Sequence, residues 1–521
     1  MGARRVRPIL ILAAVLGLAA NPGAAREIPI TILCTTDLHG HVLPVRDAEG
    51  REVSGGLLRC ATRIEELRAR EPNVLLVDCG DLVQGSAESW LTRGRIMLDA
   101  LERLRYDAWV IGNHDFDWGL DALVSLHDRC ATPMLGANIR AQEGTRTRLG
   151  RIQPFVVREI DGVRVALVGL TTPGIPLWLR PEMLGNARFS RSVETLAEIM
   201  PSVRAAAPDV MVLLVHQGYQ VMGDDAANEI NQIARNFPEF DAVLGGHLHK
   251  AVPGSRPHGV LYVQAGSHGG GVGRVEIVFD TVQRRVVRTT GEVLPVGPEV
   301  PPSETLRAAL AADLDRAEAH LDEVIGEAAC EMPAAAGLPA QSPVQQLVAT
   351  AIAKAAKAEV VLHGLLAEES IRAGPVRRRD AWRVVPYENR IGVLSLTAQE
   401  LRDILEENAA QAGSIHFLGA YGIRYDLAPD APAGHRIRNL ALADGTRPHP
   451  RRRLRVAFNS YTLASGGGRF PTLRRLADLP TSRARMTDID TRSALVEYVR
   501  KRSPVCAREG DGVRVVRGAA E

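Results

Sequence analysis

Between residues 28 and 296 the chain alternates short apolar runs with longer amphipathic stretches. The runs ITILCTT, VLLVDCG, AWVIGN, VRVALVGL, VMVLLVH, AVLGG and LYVQAG each have the length of a buried strand. Amphipathic stretches such as 61–70 and 91–104 predict helices between them. Strands alternating with helices predict a layered α/β domain with much parallel sheet. At 296–303 the run VGPEVPPS breaks the pattern. From 304 to about 328 the chain is rich in Ala, Glu and Arg with helical periodicity, which predicts a connecting helix. Beyond it, predicted helices (344–358, 398–410) mix with predicted strands (RIGVLSL, YGIRYDL, RLRVAFN). That mixture predicts a second, α+β unit over 329–500, with 501–521 as a peripheral tail.

Residues 1–25, MGARRVRPILILAAVLGLAANPGAA, place Arg4, Arg5 and Arg7 before an apolar run and a small-residue stretch. This pattern predicts a secretory signal cleaved after Ala25, and hence a periplasmic or secreted protein. The run is too short for a comfortable membrane span. Over 521 residues, 63 basic and 61 acidic side chains leave a formal charge of +2, which gives no sign of a nucleic-acid polymer or an acidic membrane as partner. Six cysteines are too few for a disulfide scaffold. Export allows pairing; Cys330 and Cys506 are the candidate pair, while Cys34 and Cys79 sit in apolar runs and read as buried thiols.

The chemistry-bearing residues follow the apolar runs. ITILCTT leads into Asp37-Leu38-His39-Gly40-His41, and VLLVDC into Gly80-Asp81. AWVI leads into Gly112-Asn113-His114-Asp115-Phe116-Asp117, VMVLLV into His216, and AVL into Gly245-Gly246-His247-Leu248-His249. Five strands therefore deliver Asp, Asn or His at their carboxyl ends, the edge of an open α/β sheet where ligands bind. An oxygen and nitrogen donor set without thiolate suits Mn, Fe or Zn better than calcium or a Cys-type zinc site. Seven candidate ligands exceed what one open catalytic ion takes. A carboxylate such as Asp81 can bridge two ions about 3.5–4 Å apart, and such a pair can hold a phosphate oxygen and a nucleophilic hydroxide together. His41 has no place in this pattern and reads as a neighbour. His268, in AGSHGGGVG, reads as a pocket-edge candidate in a loop that is no Walker motif.

The order D-x-H, G-D, G-N-H-D, H, G-H-x-H resembles the calcineurin-like metallophosphoesterases. The variant GNHDFDWG, with a second domain after a linking helix, resembles the secreted 5′-nucleotidase family, which includes bacterial periplasmic UDP-sugar hydrolases. The resemblance implies an α/β fold: a four-layer metallophosphoesterase sandwich over 26–296, a linker helix over 297–328 and a smaller α+β C-terminal substrate domain. It implies two divalent ions, Mn, Zn or Fe. One would be held by Asp37, His39, Asp81 and His249, the other by Asp81, Asn113, His216 and His247. It further implies that His114 is the catalytic histidine, with Asp117 orienting and charging its ring.

The second domain departs from the family pattern. The G-G-G-I-R hallmark, whose Arg binds phosphate, falls on Gly364 to Gly374; alignment on Ile371 puts Glu368 at the Arg position. A carboxylate there repels phosphate, and Arg372, four residues on, is the candidate substitute. The P-F-G-N hallmark becomes Pro386-Tyr387-Glu388-Asn389, which keeps an aromatic face at Tyr387 and leaves Asn389 in place. The G-G-D-G-Y/F hallmark becomes Gly466-Gly467-Gly468-Arg469-Phe470 after Tyr461, with Gly468 in place of the Asp. Tyr387, Asn389, Tyr461 and Arg372 are the candidate substrate contacts. The expected function is an exported two-metal phosphohydrolase of the 5′-nucleotidase type, acting on nucleotides or related phosphate esters through a metal-bound hydroxide. Its alternatives are a cyclic-nucleotide, UDP-sugar or sulfur-ester hydrolase with a refitted pocket, and, in another class, a catalytically idle binding protein.

Overall fold

The computed structural model describes residues 26–47, 49–142, 149–335 and 341–516, so the predicted signal at 1–25 lies outside the described residues. Two six-stranded sheets form the centre of the first domain. The first runs Arg285–Pro295, Gly271–Asp280, Glu27–Thr35, Val74–Asp78, Ala108–Val110, Met134–Leu135 in spatial order. Its last four strands are parallel, while Gly271–Asp280 pairs antiparallel on both sides. The second runs Ala251–Ser255, Leu261–Ala265, Ala242–Gly245, Val210–Val215, Val163–Leu170, Phe155–Ile160, with four parallel strands between antiparallel edges.

The sheets face each other through one apolar layer. Ile30, Ile32, Val77 and Val110 from the first meet Val165, Val212, Leu214 and Val263 from the second. Each outer face is covered in turn. Leu57, Ile64, Met97 and Leu101 cover the first sheet, and Leu196, Val203, Ile230 and Ile233 the second. Strands buried on both faces read as unbroken apolar runs, which is why ITILCTT and VRVALVGL carry no alternation. The architecture is the four-layer α/β/β/α sandwich.

Three elements differ from expectation. The predicted helix over 91–104 is two helices, Ala87–Thr92 and Arg95–Arg103. Arg93 and Gly94 between them take left-handed φ of 52° and 83°, which an α-helix cannot contain. The connecting helix, Glu304–Asp322, is capped by the Ser303 hydroxyl and buries Leu306, Leu310 and Leu314 against the first domain. It stops short of 328: Val324–Ala328 is a strand paired with Gly374–Arg377. The β-branched Val324 and Ile325 and the following Gly326 suit a pleated pair better than a helix.

The third difference is the tail. Val513–Val515 adds a parallel strand beside Ile423–Leu427. The expected pair, Cys330 and Cys506, is disulfide-bonded, Cα atoms 5.5 Å apart. Cys34, Cys60, Cys79 and Cys130 are buried free thiols. The second unit is built on a five-stranded sheet in the order Gly419–Tyr421, Val360–His363, Arg453–Asn459, Arg390–Thr397, Arg485–Asp490. Helices Pro343–Ala356 and Thr491–Arg502 cover one face, and Ala398–Ala409 and Pro471–Ala477 the other. Among the described residues no helix is long and apolar enough to cross a membrane.

Candidate metal centre

The loops after five parallel strands converge at one edge of the sandwich. Asp37 and His39 follow Glu27–Thr35, Asp81 follows Val74–Asp78, and Asn113 and His114 follow Ala108–Val110. His216 follows Val210–Val215, and His247 and His249 follow Ala242–Gly245. Ligand atoms of Asp37, His39, Asp81 and His249 lie within 4.8 Å of one another, and so do those of Asp81, His216 and His247. Asp81 belongs to both groups, the position of a bridge. Asn113 joins the second, its Oδ1 3.2 Å from His216 Nε2.

Neighbouring groups set the imidazole tautomers. The Nδ1 of His39 lies 3.1 Å from the Gln84 carbonyl, that of His216 2.8 Å from the Cys79 carbonyl, and that of His114 2.9 Å from Asp117 Oδ2. Each acceptor keeps a proton on Nδ1 and turns Nε2 toward the cleft. His39 and His249 aim their Nε2 atoms at each other, 3.0 Å apart. Burial, helped by His216, pushes His247 down to about 3, and burial holds His39 well below the usual imidazole range. Neutral imidazoles with converging lone pairs are what a metal ion requires.

The carboxylates complete the fit. Burial drives Asp37 up to about 7, with Asp81 adding to it and His216 opposing. Burial also acts against ionised Asp81, but the facing His216 and His114 carry it well below the usual carboxylate range. Burial acts against protonated His216 too, yet Asp81 and Asp37 raise it to about 10. Buried carboxylates that draw a proton onto the nearest ring form a centre short of positive charge. The donor set and the charge both fit a pair of divalent cations.

Backbone strain marks the same residues. Asp37, His39, Asp81, His247, His249 and His268 all take left-handed φ, between 47° and 75°. Such conformations in non-glycine residues persist only where the surroundings enforce them. Asp115, which the sequence reading left without a role, does part of this. Its carboxylate accepts N–H bonds from Asp81, Leu82, Val83 and Gly112 at 2.8–3.1 Å, tying the two loops together. Gly112 is required because a Cβ there would lie 2.2 Å from both the N and Oδ1 of Asp81.

His268 is closer to the centre than a pocket edge. It forms a further ligand-type group with His39 and His249, and its N–H donates to the Asp37 carbonyl at 2.8 Å. His41 packs edge-on against it, ring centroids 4.8 Å apart. A cleft of about 600 Å³ opens here between the domains, lined in part by His41, His268, Glu88, Trp382, Arg383 and Pro386.

The second domain reaches this edge unevenly. Tyr387 stacks on His114, centroids 5.7 Å apart and planes 19° from parallel. Asn389 instead holds a turn: its Oδ1 accepts from Ser460 Oγ at 3.0 Å and from the Tyr461 N–H at 3.3 Å. Arg372 is exposed and ion-paired with Glu49 of the first domain, so its charge is already matched. Trp178 was absent from the sequence reading. Its ring lies 5.0 Å from that of His247. The available signal was TTPGIPLW, which follows strand Val163–Leu170 as the ligand loops follow theirs.

Glu388, beside Tyr387, links the domains. Its carboxylate accepts from the Trp118 indole N–H and lies 3.8 Å from the Arg492 guanidinium, both members of that ion pair being 6% exposed. Burial pushes this carboxyl up to about 7 against the pull of Arg492 and Trp118. A raised carboxylate favours the folded state at low pH, and that contribution is lost as pH climbs from about 4.5 to about 7. Glu388→Gln should therefore match the wild type at pH 5 and exceed it at pH 8, by up to about 3 kcal/mol. Thermal melts of both proteins across this range check the difference; equal curves at pH 8 would refute it.

Known proteins agree with this geometry. The family model described as calcineurin-like phosphoesterase matches residues 30–251, and that described as 5′-nucleotidase, C-terminal domain, matches 324–475. The chain is 24% identical to endonuclease YhcR of Bacillus subtilis over 91% of its own length, but spans only 40% of that relative. It is 27% identical to a 5′-nucleotidase of Vibrio parahaemolyticus, covering 89% of each. It superimposes on the crystal structure of a 5′-nucleotidase precursor from Thermus thermophilus with a TM-score of 0.73 at 25% identity, covering 94% of this chain and 100% of that one. The centre at the sandwich edge thus sits where both matched segments meet, and the chain belongs to the calcineurin-like phosphoesterases that carry a 5′-nucleotidase C-terminal domain.

Proposed function

We propose that the protein is an exported, metal-dependent phosphoester hydrolase of the 5′-nucleotidase type, acting on nucleotides or related phosphate esters. The observation that carries this reading is the convergence of Nε2 atoms and carboxylates on Asp81, with the His114 ring beside them under Tyr387. Asp37, His39, Asp81 and His249 would hold one ion and Asp81, Asn113, His216 and His247 the other. The oxygen and nitrogen donor set favours Mn, Zn or Fe. Bound ions would supply Lewis acidity toward the phosphoryl oxygens and an activated water nucleophile.

The chain's own residues do the rest. Asp117 fixes the proton on His114 Nδ1 and orients Nε2 toward the cleft. Burial opposes the charged ring, but Asp117 and Asp81 raise His114 to about 9, so it carries a proton at Nε2 to offer the leaving oxygen. Asp81 Oδ1 accepts the His114 N–H at 2.7 Å and so sets the distance between acid and ligands. Tyr387 and Tyr461 present aromatic faces for a flat ring of the substrate. Residues 1–25 would direct export, and N-terminal sequencing of secreted protein beginning at Arg26 would support this.

Phosphate release from metal-reconstituted protein tests the activity. The panel holds nucleoside monophosphates, cyclic nucleotides, UDP-sugars and sugar phosphates. Turnover of the monophosphates supports the 5′-nucleotidase reading, and turnover of other esters alone replaces it with a refitted hydrolase. No release from any ester with two ions bound overturns it in favour of a binding protein. On the preferred nucleotide, Tyr387→Ala should raise KM about tenfold, as the loss of one base–aromatic stack predicts. An unchanged KM would remove Tyr387 from the substrate site.

A further inference from the structure

Building on the phosphohydrolase reading, the geometry points to a second anion-binding niche, formed by Trp178, Tyr461 and Arg469, that takes a further anionic group of the substrate, a carboxylate or a phosphate, distal to the scissile one. Trp178 comes from the first domain and packs its ring 5.0 Å from that of His247, a candidate ligand. Tyr461 and Arg469 come from the second domain, on either side of the turn Gly466-Gly467-Gly468. Ser465 Oγ donates to the Leu177 carbonyl at 2.9 Å, which docks that turn against the residue before Trp178.

Three polar groups converge beside Gly467. A Cβ on this residue would lie 3.1 Å from Trp178 Nε1, 3.4 Å from Arg469 Nη1 and 3.4 Å from Tyr461 Oη. Gly467 has φ of +73° and fills none of that space. Indole and guanidinium N–H groups only donate. Tyr461 Oη accepts from Arg469 Nη2 at 2.6 Å, which leaves its own hydrogen free to donate. The three polar atoms nearest that point are therefore all free to donate.

Its charge is unmatched. Among the described residues Arg469 has no carboxylate partner, its Nε is buried without an acceptor, and Trp178 Nε1 has no hydrogen bond. An oxyanion satisfies all three donors and the charge at once, and the guanidinium fork suits a carboxylate or a phosphate. The Trp178 ring thus contacts His247 and also contributes its Nε1 to the niche. A phosphate at the metal centre and an anion in the niche are thus two groups of one molecule, and the Arg469 charge selects for substrates that carry both.

The test pairs adenosine 3′,5′-bisphosphate with adenosine 5′-monophosphate, and 6-phosphogluconate with glucose 6-phosphate. Affinities are measured by calorimetry on metal-loaded His114→Ala protein, in which turnover is suppressed, alone and combined with Arg469→Ala or Arg469→Lys, beside their melting temperatures. The protein with Arg469 intact should prefer the member that carries the second anionic group in at least one pair by about tenfold or more, Arg469→Lys by less, and Arg469→Ala not at all. The first pair reads a phosphate in the niche and the second a carboxylate. No preference in either pair, or a preference unchanged in Arg469→Ala, overturns the niche. Because affinity is read without turnover, the two readings fail separately. Discrimination without phosphate release counts against the hydrolase alone, and release without dependence on Arg469 counts against the niche alone.

Discussion

Asp81→Asn protein should fold, bind metal poorly at both positions, and lose about a thousandfold or more in kcat/KM. Asp81 is the one carboxylate common to the Asp37–His39–His249 and His216–His247 groups, so its loss weakens both, whereas His249 belongs to the first of these alone and His216 to the second alone. Asn keeps an oxygen for the His114 N–H, which Asp81 Oδ1 now accepts at 2.7 Å, and the N–H of residue 81 can still donate to Asp115. The loop geometry is thereby preserved while the bridging charge is removed. Elemental analysis after dialysis should find less than half the wild-type metal in Asp81→Asn and one of two ions retained in His249→Ala. Full occupancy in Asp81→Asn would mean that the carboxylate does not bridge.

The second large effect is at His114. Removing a general acid costs about a hundredfold to ten-thousandfold, and His114→Ala should lose this in kcat with metal content unchanged. The ring is bonded to Asp117 and stacked under Tyr387, and it is not a member of either ligand group. A distinguishing readout is the leaving group. p-Nitrophenolate departs without a proton, so the deficit on p-nitrophenyl phosphate should be far smaller than on a nucleoside monophosphate. Equal deficits on both esters would assign His114 to charge stabilisation at phosphorus instead. Asp117→Asn should show a milder loss of the same kind, since it disturbs the ring's tautomer and charge rather than removing the ring.

These expectations rest on positions readable in the chain. An unbroken apolar run marks a strand covered on both faces, and the residues just after it must emerge at the sheet edge. Order along the chain thus becomes position in space with no further information. The five loops and their Asp, Asn and His residues were legible for that reason, as was the α/β layering. The glycine of GNHD was legible as a letter; its cause, the 2.2 Å approach to Asp81, was not.

Contacts between elements distant in sequence were not legible. Asp115 reads as one more acid in an acidic loop until the Asp81 loop is laid against it. Trp178 reads as a core residue until its ring meets His247. Arg372 was a reasonable substitute for a missing phosphate ligand, yet the docking of the domains gives it Glu49 instead. The same docking puts Tyr387 on His114 and, among the described residues, leaves Arg469 without a carboxylate. The helix predicted over 91–104 failed at one Arg-Gly pair, and a strand far along the chain ties in the tail, of which only the Cys330–Cys506 pairing was legible. The sequence by itself determined the strands, their carboxyl-end loops and the chemistry those loops carry, because these follow from local periodicity and covalent connection. The tertiary structure alone decided which charges are already matched and which face the cleft open, because that depends on how two separately packed domains meet.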